Sequence, residues 1–172
     1  MPHIDLIEPE QAEGAVAELF KTAQEVFGVI PKPLQLFANN PSVAEAVFRG
    51  FALSMEQTNL SQTFFAWLRY LTANHTHCTH CIDVNAGILL EMGVDQRALA
   101  AARKDPGTVP LPREEKALLL ACIEMVRNQG LLDKAQIDDL KRYGFSDADL
   151  VTAFHHGAHS HAVDLTINAF GL

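Results

Sequence analysis

Apolar residues recur at helical spacing along almost the whole chain, and this periodicity is the feature that most constrains the fold. Side chains three or four positions apart form apolar stripes, whereas the alternation of β-branched residues that is typical of strands is nearly absent. Glycines such as Gly28, Gly93 and Gly144 directly follow the stripes, as residues that end helices do. The sequence therefore predicts an all-α protein.

Caps and helix breakers divide this pattern into successive predicted helices. They run from about Pro9 to Phe27, Leu34 to Ala38, Ser42 to Thr58, Ser61 (as N-cap) to Asn74, Cys78 to Met92, Asp95 to Arg103, Arg113 to Asn128, Asp133 to Tyr143, and from Ser146 or Asp147 to about Phe170. Segment 29–33 is expected to be non-helical, because its prolines lack an N–H group and restrict the preceding residues. The helix over 42–58 is expected to bury Val43, Val47, Phe48 and Phe51.

Length and composition fit one globular domain. The chain has 172 residues, 48% of them apolar, which is enough to bury a core without disulfides or a structural metal. Its net charge of −8 argues against a nucleic-acid partner or an anionic membrane. No apolar run approaches the ~20 residues of a membrane span, and the N-terminus lacks the basic start of a signal peptide. We therefore expect a cytoplasmic protein with reduced cysteines.

Cys78 and Cys81 form the strongest chemical motif, Cys-Thr-His-Cys, at the start of a predicted helix. Residues three apart share a helix face, so both sulfurs are predicted to point into one space. The unpaired N–H groups and the positive dipole end of the helix favour the thiolate, which is the reactive form of cysteine. A redox pair that cycles between dithiol and disulfide fits this position. Half of a metal site, or two incidental cysteines, are the alternatives.

Seven of the eight histidines fall into two clusters, which are His75, His77 and His80, and His155, His156, His159 and His161. His155 and His159 lie four apart on the last predicted helix, so a metal site of two cysteines and two histidines is one interpretation. A polar helix face at a subunit contact is the simpler one. Cys122 lies in an apolar helix and is predicted to be a buried core residue without a catalytic role.

Several motifs occur in an order that resembles the AhpD-like alkylhydroperoxidase, or carboxymuconolactone decarboxylase, family and its peroxidase-related branch. The first matching feature is Phe27 to Lys32, which is similar to the branch's GxVPN segment with Lys32 in place of Asn. The other matching features are Leu36 to Pro41, Leu60-Ser61, Asn74 with Cys78 and Cys81, and the tail from Leu140 through Ser146-Asp147 to Asn168.

The resemblance covers about residues 9 to 170 and implies an AhpD-like helical bundle. It implies a single domain over residues 1–172, in which 1–60 is a helical extension that packs on a CxxC core of 61–172. It also implies a homo-oligomer, a trimer or a hexamer.

Peroxide-reducing members of the family have a Glu twelve residues before the first Cys and a His four residues after the second. These two groups form a proton relay to the second cysteine. Carried over, the resemblance implies that Cys81 is the attacking thiolate and Cys78 its disulfide partner, although the helix dipole alone favours Cys78. The relay itself is absent, because the two positions hold Ala66 and Asn85.

Two hypotheses follow from the missing relay. In one, a histidine such as His77 or His80 supplies the base, and Asn85 hydrogen-bonds a sulfur or a water from the face that it shares with Cys81. Of the two, His77 is freer to fold over the sulfurs, because His80 lies on a different helix face. In the other, the protein retains the dithiol but has weakened peroxidase activity.

The sequence thus predicts a CxxC dithiol oxidoreductase that reduces hydroperoxides. Its expected partners are a hydroperoxide or disulfide substrate and an unidentified thiol reductant, and we expect no cofactor. The alternative is a metal-binding or sensory helical domain that uses Cys78, Cys81 and the clustered histidines. A non-redox lactone or β-keto acid enzyme, as in the decarboxylase branch, is disfavoured because that chemistry needs no dithiol.

Overall fold

The computed structural model describes residues 2–56, 59–128 and 130–172. In these residues the regular structure is helical throughout and contains no strand, which confirms the predicted all-α class. The α-helices are α1 (Gly14–Phe27), α2 (Lys32–Phe37), α3 (Pro41–Ala52), α4 (Gln62–Thr76), α5 (Thr79–Glu91), α6 (Gln96–Lys104), α7 (Arg113–Asn128), α8 (Lys134–Arg142) and α9 (Asp147–Ala169). None of the described helices is both long enough and apolar enough to span a membrane.

The predicted helix bounds from residue 61 onward agree with the structure to within about two residues, but the first two helices differ. A separate 3₁₀ turn at Pro9–Gln11 precedes α1, because Ala12 is extended and interrupts the helix. Helix α2 begins at Lys32, inside the segment predicted to be non-helical. Pro33 is tolerated there because a residue in the first helical turn has no intrahelical partner for its N–H.

Helix α3 corrects a second prediction. Its buried residues are Ala44 and Gly50, whereas Val43 is 42% exposed. The helix packs against α1 and α2, and its Phe48 ring contacts Phe27 of α1 with the ring centroids 5.9 Å apart. The other three residues of the face that we expected to be buried are half-buried. The helix also ends earlier than predicted, at Ala52, and a 3₁₀ turn follows at Leu53–Met55. The predicted end at Thr58 itself lies outside the described residues.

The chain forms two compact units by its internal contacts. One contains the residues up to Leu53 together with Thr166–Leu172, and the other is Ser54–Leu165. In the first unit the extended N-terminal segment is tied down by backbone bonds, in which the His3 N–H donates to the Phe170 carbonyl and the Ile7 N–H to the Gln35 carbonyl. The predicted division into a 1–60 extension and a 61–172 core stays a prediction.

Helix α4 is the central helix of the second unit and packs against α5 and α7. Its predicted core residues Phe64, Phe65, Leu68 and Leu71 are all fully buried. On α7, Leu118 and Leu119 are also fully buried, but Leu120 is 39% exposed. Residues 117–123 of α7 form an apolar run, and this run is buried on one face only.

The start of α4 is fixed by a buried carboxylate. The Ser61 hydroxyl caps the helix by accepting from the Phe64 N–H at 3.0 Å, as predicted. Glu115 of α7 accepts in turn from the Ser61 N–H at 2.6 Å and from the Ser61 hydroxyl at 2.8 Å. Two helices are thereby held in register at the end of α4 that lies opposite the CxxC motif.

Candidate active site

A tight turn between α4 and α5 places the CxxC motif. His77 follows α4 in the left-handed conformation, with φ of 57°, and is the one non-glycine residue with positive φ in the described ranges. Cys78 then caps α5. The His77 side chain is exposed, so the structure shows this residue as the turn that reverses the chain.

Cys78 and Cys81 are joined by a disulfide at the start of α5. The Cys81 N–H donates to the sulfur of Cys78 at 3.3 Å, so Cys78 receives the hydrogen bond of a helix N-cap. This contact and the helix dipole favour a thiolate on Cys78 once the pair is reduced. Cys78 is fully buried, whereas Cys81 is 6% exposed, so Cys81 is the more accessible residue of the pair.

A carboxylate from α9 lies beside both sulfurs. One oxygen of Asp164 and the sulfurs of Cys78 and Cys81 all lie within 4.8 Å of one another. Asp164 is 5% exposed, and its Oδ2 accepts from the Thr76 hydroxyl at 3.0 Å. Burial raises the pKa of Asp164 to about 7, against the opposing effect of the Thr76 hydrogen bond. The group can therefore take up or release a proton near neutral pH within reach of the sulfurs.

Asp164 was not among the site residues predicted from the sequence, since we expected a replacement base among the histidines. A usable signal was present on the last helix. His156, Ser160 and Asp164 recur every four residues, and all three are at most 5% exposed. Polar residues at this spacing form one face of a helix. A polar face buried in an apolar bundle needs partners, which marks it as a candidate site.

Asn85 holds the backbone of Cys81. Its Nδ2 donates to the Cys81 carbonyl at 2.8 Å, while its Oδ1 accepts from the Nε–H of Arg69 at 2.9 Å. We predicted a hydrogen bond from Asn85 to a sulfur or a water, and the bond to the Cys81 carbonyl is the one that this structure defines. At the position of the family's relay histidine, this chain therefore has a residue that links Arg69 to Cys81.

His156 is a neutral imidazole next to a cation. Its Nε2 lies 3.3 Å from Nη1 of Arg69, and because a guanidinium can only donate, Nε2 is the accepting nitrogen. Burial, and then the charge of Arg69, lower the pKa of His156 to about 2. Burial lowers the pKa of Arg69 only to about 10, so the guanidinium stays charged at neutral pH.

Four of the other histidines form two stacked pairs. His75 stacks on His161 with ring centres 5.9 Å apart, and His155 stacks on His159 at 6.0 Å. His80, predicted as a possible base, is half-buried in the first turn of α5.

The predicted site of two cysteines and two histidines is not assembled among the described residues. There, the group of cysteine, histidine and acidic side chains close enough to hold a metal consists of Cys78, Cys81 and Asp164. His155 is exposed, which places it on the outer side of α9. Cys122 is fully buried and its pKa is raised by burial, as expected for a core cysteine.

Neither a protein-family model nor a curated protein matches the chain. Solved structures do match over nearly its full length. A peroxidase-related protein from Silicibacter sp. TM1040 has a TM-score of 0.80 at 17% identity, over 99% of this chain and 87% of that one. A protein described as an alkylhydroperoxidase AhpD core from Ralstonia eutropha JMP134 has a TM-score of 0.85 at 16% identity, over 99% and 90%.

The debrominase Bmp8 is a third structural match, with a TM-score of 0.77 at 17% identity over 96% of this chain and 88% of that one. A cysteine-to-alanine variant of Bmp8 was solved with 2,3,4-tribromopyrrole. At these identities the likeness establishes the fold. The chain has the fold of AhpD-like, peroxidase-related proteins, as its sequence motifs predicted.

Proposed function

We propose that this protein is a dithiol oxidoreductase that reduces hydroperoxides with Cys78 and Cys81. The observation that carries the proposal is the buried Asp164 carboxylate within 4.8 Å of both sulfurs. Peroxide reduction by a thiol needs a base to form the thiolate and an acid to protonate the leaving oxygen. Asp164 has a pKa of about 7 and offers both functions where the usual Glu and His are replaced by Ala66 and Asn85.

In the proposed reaction, Asp164 accepts the proton of the Cys81 thiol. The Cys81 thiolate attacks the terminal oxygen of R–O–O–H, the O–O bond breaks, and the alkoxide takes a proton from Asp164. Cys81 is left as a sulfenic acid and the product is an alcohol. Cys78 then attacks the Cys81 sulfur, the S–S bond forms, and hydroxide leaves with the Cys78 proton as water.

A thiol reductant completes the cycle. Two electrons and two protons from an external dithiol, or from two thiols, reopen the Cys78–Cys81 disulfide. Because the sulfurs themselves supply the electrons for peroxide reduction, this scheme uses no cofactor. We place it in the cytoplasm and in a homo-oligomer, a trimer or a hexamer, whose size light scattering measures against the chain mass of 18.9 kDa.

Hydroperoxide consumption with dithiothreitol as reductant tests the proposal. Cys81→Ser is expected to abolish turnover of tert-butyl hydroperoxide, and Asp164→Asn to slow it about 100-fold, as loss of a general acid–base group does. Cys122→Ser is the matched control, because this buried cysteine lies outside the site, and it should retain activity. Full consumption by Cys81→Ser would contradict the proposal.

Metal binding by the reduced pair is the second candidate, since Asp164 supplies a third donor atom close to both sulfurs. No histidine of the described clusters joins that group, which weakens the predicted cysteine–histidine version. Metal analysis of protein purified without chelators, without a His tag and under reducing conditions tests this candidate. Stoichiometric zinc, iron or copper that Cys78→Ser removes would favour metal binding over redox catalysis.

Because one structural neighbour is a debrominase, a brominated compound is a second candidate oxidant that can be tested in the same assay. A dithiol that donates two electrons and two protons can replace a C–Br bond by a C–H bond with release of HBr. Bromide release from 2,3,4-tribromopyrrole, measured beside peroxide consumption, therefore separates the two substrate classes.

A further inference from the structure

Arg69 is half-buried and carries a charge that no carboxylate pairs among the described residues. Its guanidinium lies between α4, α5 and α9, where it donates to Asn85 and His156. Across the described ranges, no carboxylate lies within salt-bridge distance of it. The bonds to Asn85 and His156 use the Nε and Nη1 of Arg69, and a guanidinium offers five donors in all.

Neither neighbour of Arg69 compensates its charge. Asn85 is a neutral amide, and His156 is a neutral imidazole whose pKa the guanidinium itself helps to lower. Asp164 lies eight residues beyond His156 on α9, about 12 Å along the helix axis. A half-buried guanidinium without a carboxylate partner can bind an anion that is supplied from outside the chain.

A second polar group without a partner lies one helical turn from Arg69. The hydroxyl of Thr72 is fully buried and has no hydrogen-bond partner among the described residues. Arg69, Thr72 and Thr76 lie at positions i, i+3 and i+7, so they share one face of α4. Thr76 contacts Asp164 at the disulfide. Arg69 and the unpartnered Thr72 hydroxyl therefore lie on the helix face that leads to the reactive sulfurs.

Asn85 connects this face to the more accessible cysteine. It accepts from Arg69 and donates to the Cys81 carbonyl, so one side chain separates the guanidinium from the Cys81 backbone. An anion held by Arg69 would lie next to Cys81. The planar fork of a guanidinium matches the two oxygens of a carboxylate.

We propose that Arg69 and Thr72 form an anion subsite beside Cys81, and that the substrate carries a carboxylate. This inference rests on the proposed function, because it assigns to Cys81 an oxidant of one chemical class, a hydroperoxide with a carboxylate group. The carboxylate accepts hydrogen bonds from the Arg69 guanidinium and from the Thr72 hydroxyl, while the hydroperoxide extends toward Cys81.

Alkylation of the reduced protein tests the subsite without any peroxide. Iodoacetate and iodoacetamide react in the same way, with the thiolate sulfur forming a bond to carbon as iodide leaves, but only iodoacetate carries a carboxylate. A change in thiolate fraction affects both rates equally, so their ratio at Cys81, read by mass spectrometry, isolates anion binding. We expect Arg69→Gln to lower the iodoacetate-to-iodoacetamide ratio about tenfold. Arg103→Gln removes an equal charge from an exposed position and should leave the ratio unchanged.

A measurement on the wild-type protein guards against misfolding of the variant. Benzoate should slow the alkylation of Cys81 by iodoacetamide, and neutral benzamide should not. An unchanged ratio in folded Arg69→Gln, or equal effects of benzoate and benzamide, would overturn the subsite. A lowered ratio without any hydroperoxide consumption would support the subsite and contradict the proposed function. Hydroperoxide consumption with an unchanged ratio would do the reverse.

Discussion

Asp164 is an ionisable carboxyl group in a buried position, with 5% of its surface exposed. Burial opposes its ionisation, so its pKa rises to about 7 from an ordinary value of 3.8. Because the pKa of Asp164 is higher in the folded than in the unfolded protein, its contribution to stability is fully present below the pKa that it has in the unfolded protein. This contribution is lost as the pH rises through the pKa that it has in the folded protein. The site therefore retains Asp164 at a cost in stability.

Replacement of Asp164 by Asn should remove this cost. In the oxidised protein, we expect Asp164→Asn to be more stable than wild type. The difference in the free energy of unfolding should be about 3 kcal/mol larger at pH 8 than at pH 5, since one pKa unit corresponds to 1.36 kcal/mol. Urea unfolding of both proteins at the two pH values measures the difference.

The titration of His156 does not affect the comparison between Asp164→Asn and wild type. Its pKa is lowered to about 2, so its contribution is lost as the pH falls below its ordinary value of 6.5. This effect is common to wild type and variant and cancels in their difference. A stability difference that does not change between pH 5 and pH 8 would contradict the placement of a buried, ionisable Asp164 in the site.

At the residue scale, Cys78 and Cys81 could be predicted from sequence because their spacing carries the chemistry by itself. The spacing of polar residues on the last helix marks Asp164 as a candidate, but its closeness to the sulfurs could not be predicted. It lies 83 positions beyond Cys81, and only packing of α9 against the end of α4 brings it close. The predicted role of His77 as a base stays a prediction. Its position before the CxxC suggested a base, but its left-handed φ of 57° and exposed side chain show a residue that forms the turn.

Among the helices, predictions succeeded where local signals determine the structure. The Ser61 cap and the glycine after α5 act within one helical turn, and both lie where we expected them. The exposed Val43 on α3 could not be predicted, because the face that a helix buries depends on the helices that pack against it.

The contact between Glu115 and Ser61 is expected to stabilise the junction of α4 and α7. Glu115→Ala leaves the Ser61 N–H without its acceptor, so we expect a loss of about 1–2 kcal/mol in the free energy of unfolding. Glu115→Gln keeps one acceptor oxygen and should lose less. Glu114→Ala, at the exposed neighbouring position, is the control in the same urea titrations. A Glu115→Ala protein as stable as Glu114→Ala would contradict the structural role of this contact.

At the scale of the whole molecule, the all-α fold could be predicted because helical periodicity and glycine punctuation extend along the entire chain. The fold of the AhpD-like proteins is confirmed by structural matches with TM-scores of 0.75 to 0.85 at 16–17% identity. The site is formed by the tertiary packing of helices, since α4, α5 and α9 each contribute only part of it. The predicted trimer or hexamer depends on surfaces such as the exposed side of α7 and stays a prediction.

A single-turnover titration tests the central claim most directly. Fully reduced protein is mixed anaerobically with increasing tert-butyl hydroperoxide, and the remaining peroxide, the free thiols and the disulfide bonds are measured. We expect each chain to consume one equivalent of peroxide, with the disulfide forming between Cys78 and Cys81 and the thiol of Cys122 remaining free. Consumption no faster than that by the Cys78→Ser/Cys81→Ser double variant would contradict the account.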